Sequence, residues 1–464
     1  MQQSNAPFIA PSPNPLPRGG RGLEMLTALA TAAAIRAGAT TARAETEAAI
    51  ARIEALNPAL NAVIVKDFDR ALADADAADA RARTGDTAPL LGVPMTVKES
   101  YNLAGLPTTW GFDHARDFIA DEDAVAVQRL KRAGAIILGK TNVPVALADV
   151  QSVNPIYGRT NNAIDPSRVA GGSSGGAAVA LASGMVAIEM GSDIGGSIRV
   201  PAAFNGVWGH KPSYGALTTD GHYFPRNQGA PVPLSVIGPM ARDPGDLAAM
   251  LDIVSDLTLP RASEKRVDQL RVLVMGAHPL AKAQRSILSA LDAVAEAFGK
   301  AGAKVDRSSD LIPDLDKQHR NYMHLLNVTM SARMPAQDGR APTTLIDWLG
   351  LLDRQAQCRR AWGRLFEHYD AVIAPTFGCV AFAHDDTPLP ERKLMIDGEE
   401  TEFGAQFAYP GLATFPMLPA TSVPISRDAD GMPIGLQVIT DYHQDHSAIA
   451  IARAAHLITK ELRP

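Results

Sequence analysis

Between Gly171 and Ala202 the chain reads GGSSGGAAVALASGMVAIEMGSDIGGSIRVPA, two glycine–serine clusters held apart by an apolar, alanine-rich segment. Glycine loses more conformational freedom on folding than any other residue. Two such clusters so close together mark backbone that bends sharply or comes close to a ligand. Each cluster sets serine among glycines, Ser173 and Ser174 in the first and Ser197 in the second. The segment between them predicts a helix from Ala177 to about Ala182 and a buried strand through Met185–Met190. Upstream, GVPMTVKES predicts an apolar strand over Leu90–Val97 that delivers Lys98 at its end.

These residue types suit one kind of chemistry. A serine hydroxyl is a poor nucleophile until a base takes its proton. Lysine can be that base only when neutral, and burial in a low-dielectric site favours the neutral amine by several pKa units. A lysine at the end of an apolar strand is open to such burial. The ordinary alternative is a side chain that lays its stem on the surface and keeps its charge in water.

Lys98 sits in a GVPxxVK motif, Ser173 in GGSSGG and Ser197 in GSDxGGSIRxPA. GKTN follows at 139–142, KPSYG at 211–215, DAVIAPT at 370–376 and SVP…GMPIGLQVI within 422–439. In this order the motifs resemble the amidase signature family of serine hydrolases, over nearly everything from Met25 on and most weakly at about 260–365. The resemblance implies an α/β amidase signature fold: a central mixed, twisted β-sheet covered by helices on both faces, with the site at loop ends on one edge. Residues 25–464 then form the amidase domain, with a catalytic core at about 90–240 and a variable helical region at about 310–368.

The resemblance also implies roles. Ser197 is the nucleophile of a Ser–Ser–Lys triad. Ser173, held through a cis peptide bond in this family, relays the proton to neutral Lys98 and returns one to the departing amine. The backbone N–H groups of Ile194, Gly195, Gly196 and Ser197 form the oxyanion hole, Ser174 orients Ser173, and Asp193 and Arg199 hold the loop. Ile194 stands where members usually have threonine, which is immaterial if only its N–H is used. The implied reaction is hydrolysis of a C–N bond through an acyl-enzyme, with no metal and no organic cofactor.

Substrate identity is not written in these motifs. Phe377, Phe403, Phe407, Tyr409 and Phe415 form a dense aromatic set that either lines a substrate pocket or is simply core. With HYFP at 222–225 it points to an uncharged small-molecule substrate carrying an aryl or apolar group, an amide or a carbamate. Aryl acylamidase, urethanase and esterase activities all fit. Phe415 and Met417 stand where relatives often carry a polar residue and a glycine, which changes the pocket. It also weakens an assignment to the aminoacyl-tRNA amidotransferase subunit, an alternative that acts in a complex. A second alternative is an α/β-hydrolase-type esterase with Ser173 as nucleophile, since Gly171–Gly175 also satisfies GxSxG. That elbow must follow a strand, whereas Pro166–Ala170 is polar and loop-like, and His210 reads as structural.

At 464 residues, with 46% hydrophobic and 20% charged residues, the composition is that of an ordinary globular protein. A net charge of −6 argues against nucleic acid or an anionic membrane as partner. No apolar run reaches the roughly 18 residues needed to span a bilayer. Two cysteines, Cys358 and Cys379, provide neither a disulfide framework nor a CxxC metal pair. A cytoplasmic monomer or homodimer is expected.

Gly134–Thr141 matches the phosphate-loop pattern GxxxxGK[ST] letter for letter, but its AIIL interior reads as a buried strand after a helix rather than a polar loop. Residues 1–24 read as a disordered extension, with Met25 the preferred natural start; Leu26–Ile35, following Arg18 and Arg21, has a weaker signal-peptide character. Helices are predicted over Leu26–Ala37, Thr41–Leu56 with Pro58 just past its end, Ala71–Arg83 and Ala124–Arg132. The stretch from Ala202 to Pro239 reads as surface loops near the site. Leu270–Met275, Ala281–Lys300 and Lys304–Asp306 read as strand–helix–strand, 318–368 as helical, and everything from Asp370 as strands and loops.

Overall fold

The computed structural model describes residues 26–227, 229–331 and 343–461. The expected N-terminal extension and Met25 start, and residues 332–342 of the helical region, lie outside the described residues.

Eleven strands form one mixed sheet: β1 (Val63–Lys66), β2 (Pro94–Lys98), β3 (Ile136–Thr141), β4 (Ile188–Asp193), β5 (Trp208–Lys211), β6 (Val236–Ala241), β7 (Arg271–Val274), β8 (Lys304–Asp306), β9 (Ala371–Pro375), β10 (Ala420–Arg427) and β11 (Pro433–Ile439). Across the sheet they run β1-β3-β2-β4-β6-β5-β10-β11-β9-β7-β8. β2 is parallel to both β3 and β4, and β7 to both β8 and β9; the remaining pairs are antiparallel.

Alternation along the strands sends apolar side chains to both faces. Met95, Val97, Ile137, Ile188 and Met190 enter one large core, with α4 (Val125–Arg132), α7 (Pro244–Val254), α8 (Arg285–Lys300) and α12 (Asp445–Glu461) packed on that face. Ile136 and Leu138 turn the other way, towards α2 (Ala42–Leu60), α3 (Phe68–Arg83) and α5 (Gly175–Ala182). At the far end of that second face Leu273, Val372 and Ala374 meet α10 (Leu345–Phe366) and α11 (Ala408–Thr414). Covered on both sides, the central strands show no exposed residue, as a buried, partly parallel sheet requires.

Several elements depart from the sequence expectations. α2 runs through Pro58 to Leu60, because proline in a last turn removes only one N–H, and the buried Asn57 side-chain Oδ1 accepts from Ala62 N and Val63 N at 2.8 Å just beyond. β4 continues past Met190 to Asp193, because Gly191 and Ser192 stay in register with Gly238 and Ile237 of β6. The stretch from Ala202 to Pro239 is not all surface loop. It includes α6 (Arg199–Asn205), the interior strand β5 and the start of β6. Its polar side chains misled: His210 and Lys211 of β5 are fully buried, with Lys211 Nζ donating to Leu418 O at 2.7 Å and Pro212 O at 3.0 Å. Beyond Asp370, α11 and the long α12 interrupt the strands, α12 docking through Ile449, Ala452 and Ala455. No helix among the described residues is long and apolar enough to cross a membrane.

Candidate active site

β2 and β4 lie side by side in parallel, with Thr96 opposite Glu189 and Val97 opposite Met190. Because Val97 and Met190 face the large core, Lys98 and Glu189 share the other face. Both strands are interior to the sheet, so the site sits at their carboxyl ends and not on an edge.

Lys98 is completely buried. Its Nζ lies 2.6 Å from Ser173 Oγ, 2.9 Å from Ser192 Oγ and 3.0 Å from Ser174 Oγ. An ammonium would donate to all three hydroxyls. A neutral amine donates to two and offers its lone pair to the third. Burial pushes the Lys98 pKa down to about 7, against the carboxylates of Asp193, Glu189 and Glu99, which pull it back up. Burial likewise pushes Glu189 up to about 7, although its carboxylate accepts from Thr141 Oγ1 at 2.8 Å and from Met190 N at 2.7 Å. The Gly172–Ser173 peptide is cis. Gly191 leaves the space that Ser174 occupies, since a Cβ there would come 2.9 Å from Ser174 Oγ.

Ser197 lies on the loop between β4 and α6, is 7% exposed, and accepts Ser174 N–H through its carbonyl at 3.1 Å. Asp193 organises this loop. Its carboxylate accepts from Gly196 N at 2.8 Å and Ile198 N at 3.2 Å, and takes Arg199 in a bidentate pair at 2.9 and 3.0 Å. Burial alone would raise the Asp193 pKa, but Arg199, Lys211 and the Gly196 N–H hold it at about 2. Arg199 also donates to Gln437 Oε1 at 2.7 Å, Thr414 Oγ1 at 2.9 Å and Pro410 O at 3.0 Å, fastening the loop to α11 and β11. Gly196 N–H is therefore turned to Asp193, leaving Ile194, Gly195 and Ser197 as the remaining donors of the expected oxyanion row. Tyr322, on α9 (Leu315–Ser331), donates to Ile194 O at 2.9 Å from behind.

A cavity of about 30 Å3 joins the reactive groups. Ser173, Ser192 and Ser197 line it, and Trp110, Leu147, Phe224 and Met330 are among its apolar lining residues. The aromatic set expected to form a pocket lies elsewhere. Phe377 and Phe403 are buried in the main core with rings 6.1 Å apart, and Tyr409 donates to Ala281 O at 3.0 Å. Phe415 packs with Tyr322 and Leu325, and Phe407, not among the cavity lining, lies where a Cβ on Gly195 would come 3.3 Å from its ring. Of the sequence's aromatic signals, only HYFP reaches the cavity, through Phe224. Ser192 and Trp110 were not anticipated. Ser192 could have been found from the GSD triplet, which ends the strand beside Lys98, whereas nothing in TTWGF marks its tryptophan.

His210 bonds Thr421 Oγ1 at 2.9 Å and Asp445 at 3.1 Å, and Asp445 in turn accepts from Ser213 Oγ at 2.7 Å. These four buried residues fix the start of α12, and Ser173 is partnered by Lys98 instead. The GxxxxGK[ST] lookalike is occupied by β3, with Lys140 fully buried. Among the described residues no three His, Cys, Asp or Glu side chains converge on a possible metal position.

The sequence model of the family described as Amidase matches residues 44–349 and 348–449. Fatty-acid amide hydrolase 2-A of Danio rerio is 32% identical over 501 aligned residues, covering 97% of this chain and 91% of its own. Indoleacetamide hydrolase of Bradyrhizobium diazoefficiens is 32% identical over 460, covering 92% and 85%. Among solved structures, 6-aminohexanoate cyclic dimer hydrolase superposes with a TM-score of 0.79 at 25% identity, covering 95% of this chain and 97% of that one.

Proposed function

The chain belongs to the amidase signature family of hydrolases acting on carbon–nitrogen bonds, and from that premise we propose that it cleaves small uncharged amides or carbamates bearing an aryl or apolar group, through an acyl-enzyme on Ser197. The observation that carries this reading is the fully buried Lys98 amine, 2.6 Å from Ser173, beside an apolar cavity that Ser173 shares with Ser197.

Neutral Lys98 takes the proton of Ser173 as Ser173 takes that of Ser197, and Ser197 Oγ attacks the carbonyl carbon. The oxyanion is met by the N–H groups of Ile194, Gly195 and Ser197. As the tetrahedral adduct collapses, the C–N bond breaks and the proton returns from Lys98 through Ser173 to the leaving nitrogen, without which an amine departs poorly. Water then attacks the ester by the same relay in reverse, releasing the acid and restoring Ser197. Asp193 and Arg199 act by holding the loop, Ser174 and Ser192 by holding the lysine.

The apolar wall supports an uncharged substrate, as do two relatives named for a fatty-acid amide and for indoleacetamide. The free thiols Cys358 and Cys379 suit a reducing, cytoplasmic setting. The test is peptide mapping after treatment with an aryl fluorophosphonate, alongside hydrolysis of anilides, aryl carbamates and acetamide. An adduct on Ser197 that slows sharply in Lys98→Ala is expected. An adduct on Ser173 indifferent to Lys98, or turnover confined to acetamide, overturns the mechanism or the substrate class respectively.

A further inference from the structure

Trp110 holds its backbone in the left-handed region, at φ +52°, where a bulky side chain is rarely found. It is not alone: Ala146 and Leu147, at φ +57° and +56°, line the same cavity. Such outliers persist only where the surroundings over-determine them, and here each polar atom of Trp110 is tied. Its N–H donates to Glu99 Oε2 at 2.9 Å, its carbonyl accepts Ala146 N–H at 2.9 Å, and its indole Nε1–H donates to Ser100 O at 3.1 Å.

Behind it stand two fully buried ionisable side chains, Glu99 and Lys140, that the proposed chemistry does not use. Glu99 Oε1 accepts from Thr109 N at 2.5 Å and Thr109 Oγ1 at 2.8 Å. Lys140 donates to Thr108 Oγ1 at 2.9 Å and to Pro107 O. Glu99, in the turn just after β2, and Lys140, on the neighbouring β3, thus grip four consecutive residues, 107–110. On its cavity side the Trp110 ring leans on Phe224, with ring centres 4.6 Å apart, and on His222 at 5.0 Å.

We propose that Trp110 is the specificity-determining residue of this site, a fixed wall that limits the size of the group bound beside Ser197, and that Glu99 and Lys140 are its positioning residues. The inference rests on the reading of Ser197 as the nucleophile. It gives the GKT lysine a task unrelated to phosphate: it braces a loop.

The experiment compares two substrate series on the intact protein, anilides with acyl groups from acetyl to benzoyl and acetamides with amines from methyl to naphthyl. Each is measured as the ratio of kcat/KM for the largest member to that for the smallest. Trp110→Ala is expected to raise this ratio at least tenfold in one series, the side of the substrate that meets the wall. Lys140→Met is expected to move the same ratio in the same direction through KM more than kcat. Trp110→Leu, which fills more of the space, serves if the alanine protein does not fold. Ratios changed less than tenfold in both series by the Trp110 variant overturn the wall, and a ratio unmoved by Lys140→Met overturns the bracing. Fluorophosphonate mapping of the wild type separates these failures from that of the underlying reading, because it reports on Ser197 whatever the size of the substrate.

Discussion

Lys98 Nζ and Ser173 Oγ approach to 2.6 Å with both residues shut off from water. A lysine in that setting has its pKa near 7, so below pH 7 it carries a proton and cannot accept another. The acid limb of kcat/KM should therefore rise with pH to a plateau, with an apparent pKa near 7. Glu189 on the same face is pushed to a similar value, so that limb belongs to the pair. Lys98→Ala should cost about 10^3-fold in kcat/KM, within the span of lost acid–base catalysis. A flat profile from pH 5.5 to 8.5 would contradict this assignment.

The same burial makes Lys98 a cost to folding. Its folded pKa, about 7, lies below the ordinary 10.5, so between those values the unfolded chain binds more protons and stability rises with pH. The cost is present in full below about pH 7 and fades towards 10.5. Lys98→Met should accordingly stabilise the protein more at pH 6 than at pH 9, by roughly 3 kcal/mol. Urea midpoints at the two pH values check it; an equal effect at both speaks against a neutral lysine.

Asp193 has the opposite sign. Held at about 2, it contributes stability that is complete above its ordinary value of 3.8 and disappears as pH falls through 2. Asp193→Asn leaves Arg199 buried with no counter-charge, and should cost about 3–5 kcal/mol at pH 7. A loss under about 1 kcal/mol in equilibrium unfolding would show that the pair does not hold the loop.

Gly196 sits at φ +99°, and a Cβ there would come 2.8 Å from Val200 Cγ2 and 2.9 Å from Pro410 Cγ. Gly196→Ala should slow fluorophosphonate labelling of Ser197 at least about a hundredfold, because the loop must move to admit the methyl. Labelling at the wild-type rate would mean the loop geometry is not what presents the serine.

Much of the site was legible because its residues cluster in the chain. Lys98, the two serine clusters and the Asp193–Arg199 loop all lie inside short motifs whose glycines announce close packing. Apart from Phe224 of HYFP, the cavity wall was not, because it is assembled from afar. Trp110, Leu147, Phe224 and Met330 share no periodicity, and three dense aromatics that drew attention, Phe377, Phe403 and Phe415, went to cores. The strands β5 and β6 were hidden for a related reason. Their histidine, lysine, glycines and proline look like loop chemistry, and only pairing with β10 and β4 shows why they can be buried. Met417 illustrates the reverse: its φ of +67° is a backbone conformation that favours glycine, which the side chain alone does not announce.

The enclosure of Lys98 also sets the traffic of protons. With no face towards water, its amine touches three hydroxyls and nothing else polar at hydrogen-bond distance among the described side chains. Ser173 is the nearest of the three at 2.6 Å, so in the relay proposed above a proton lifted from the nucleophile returns by the shortest contact, through the serine that delivered it. On that proposal the hydrogen that leaves Ser197 at the start of a turnover is the one Ser173 hands on to the departing nitrogen, while the lysine keeps a proton of its own to give back.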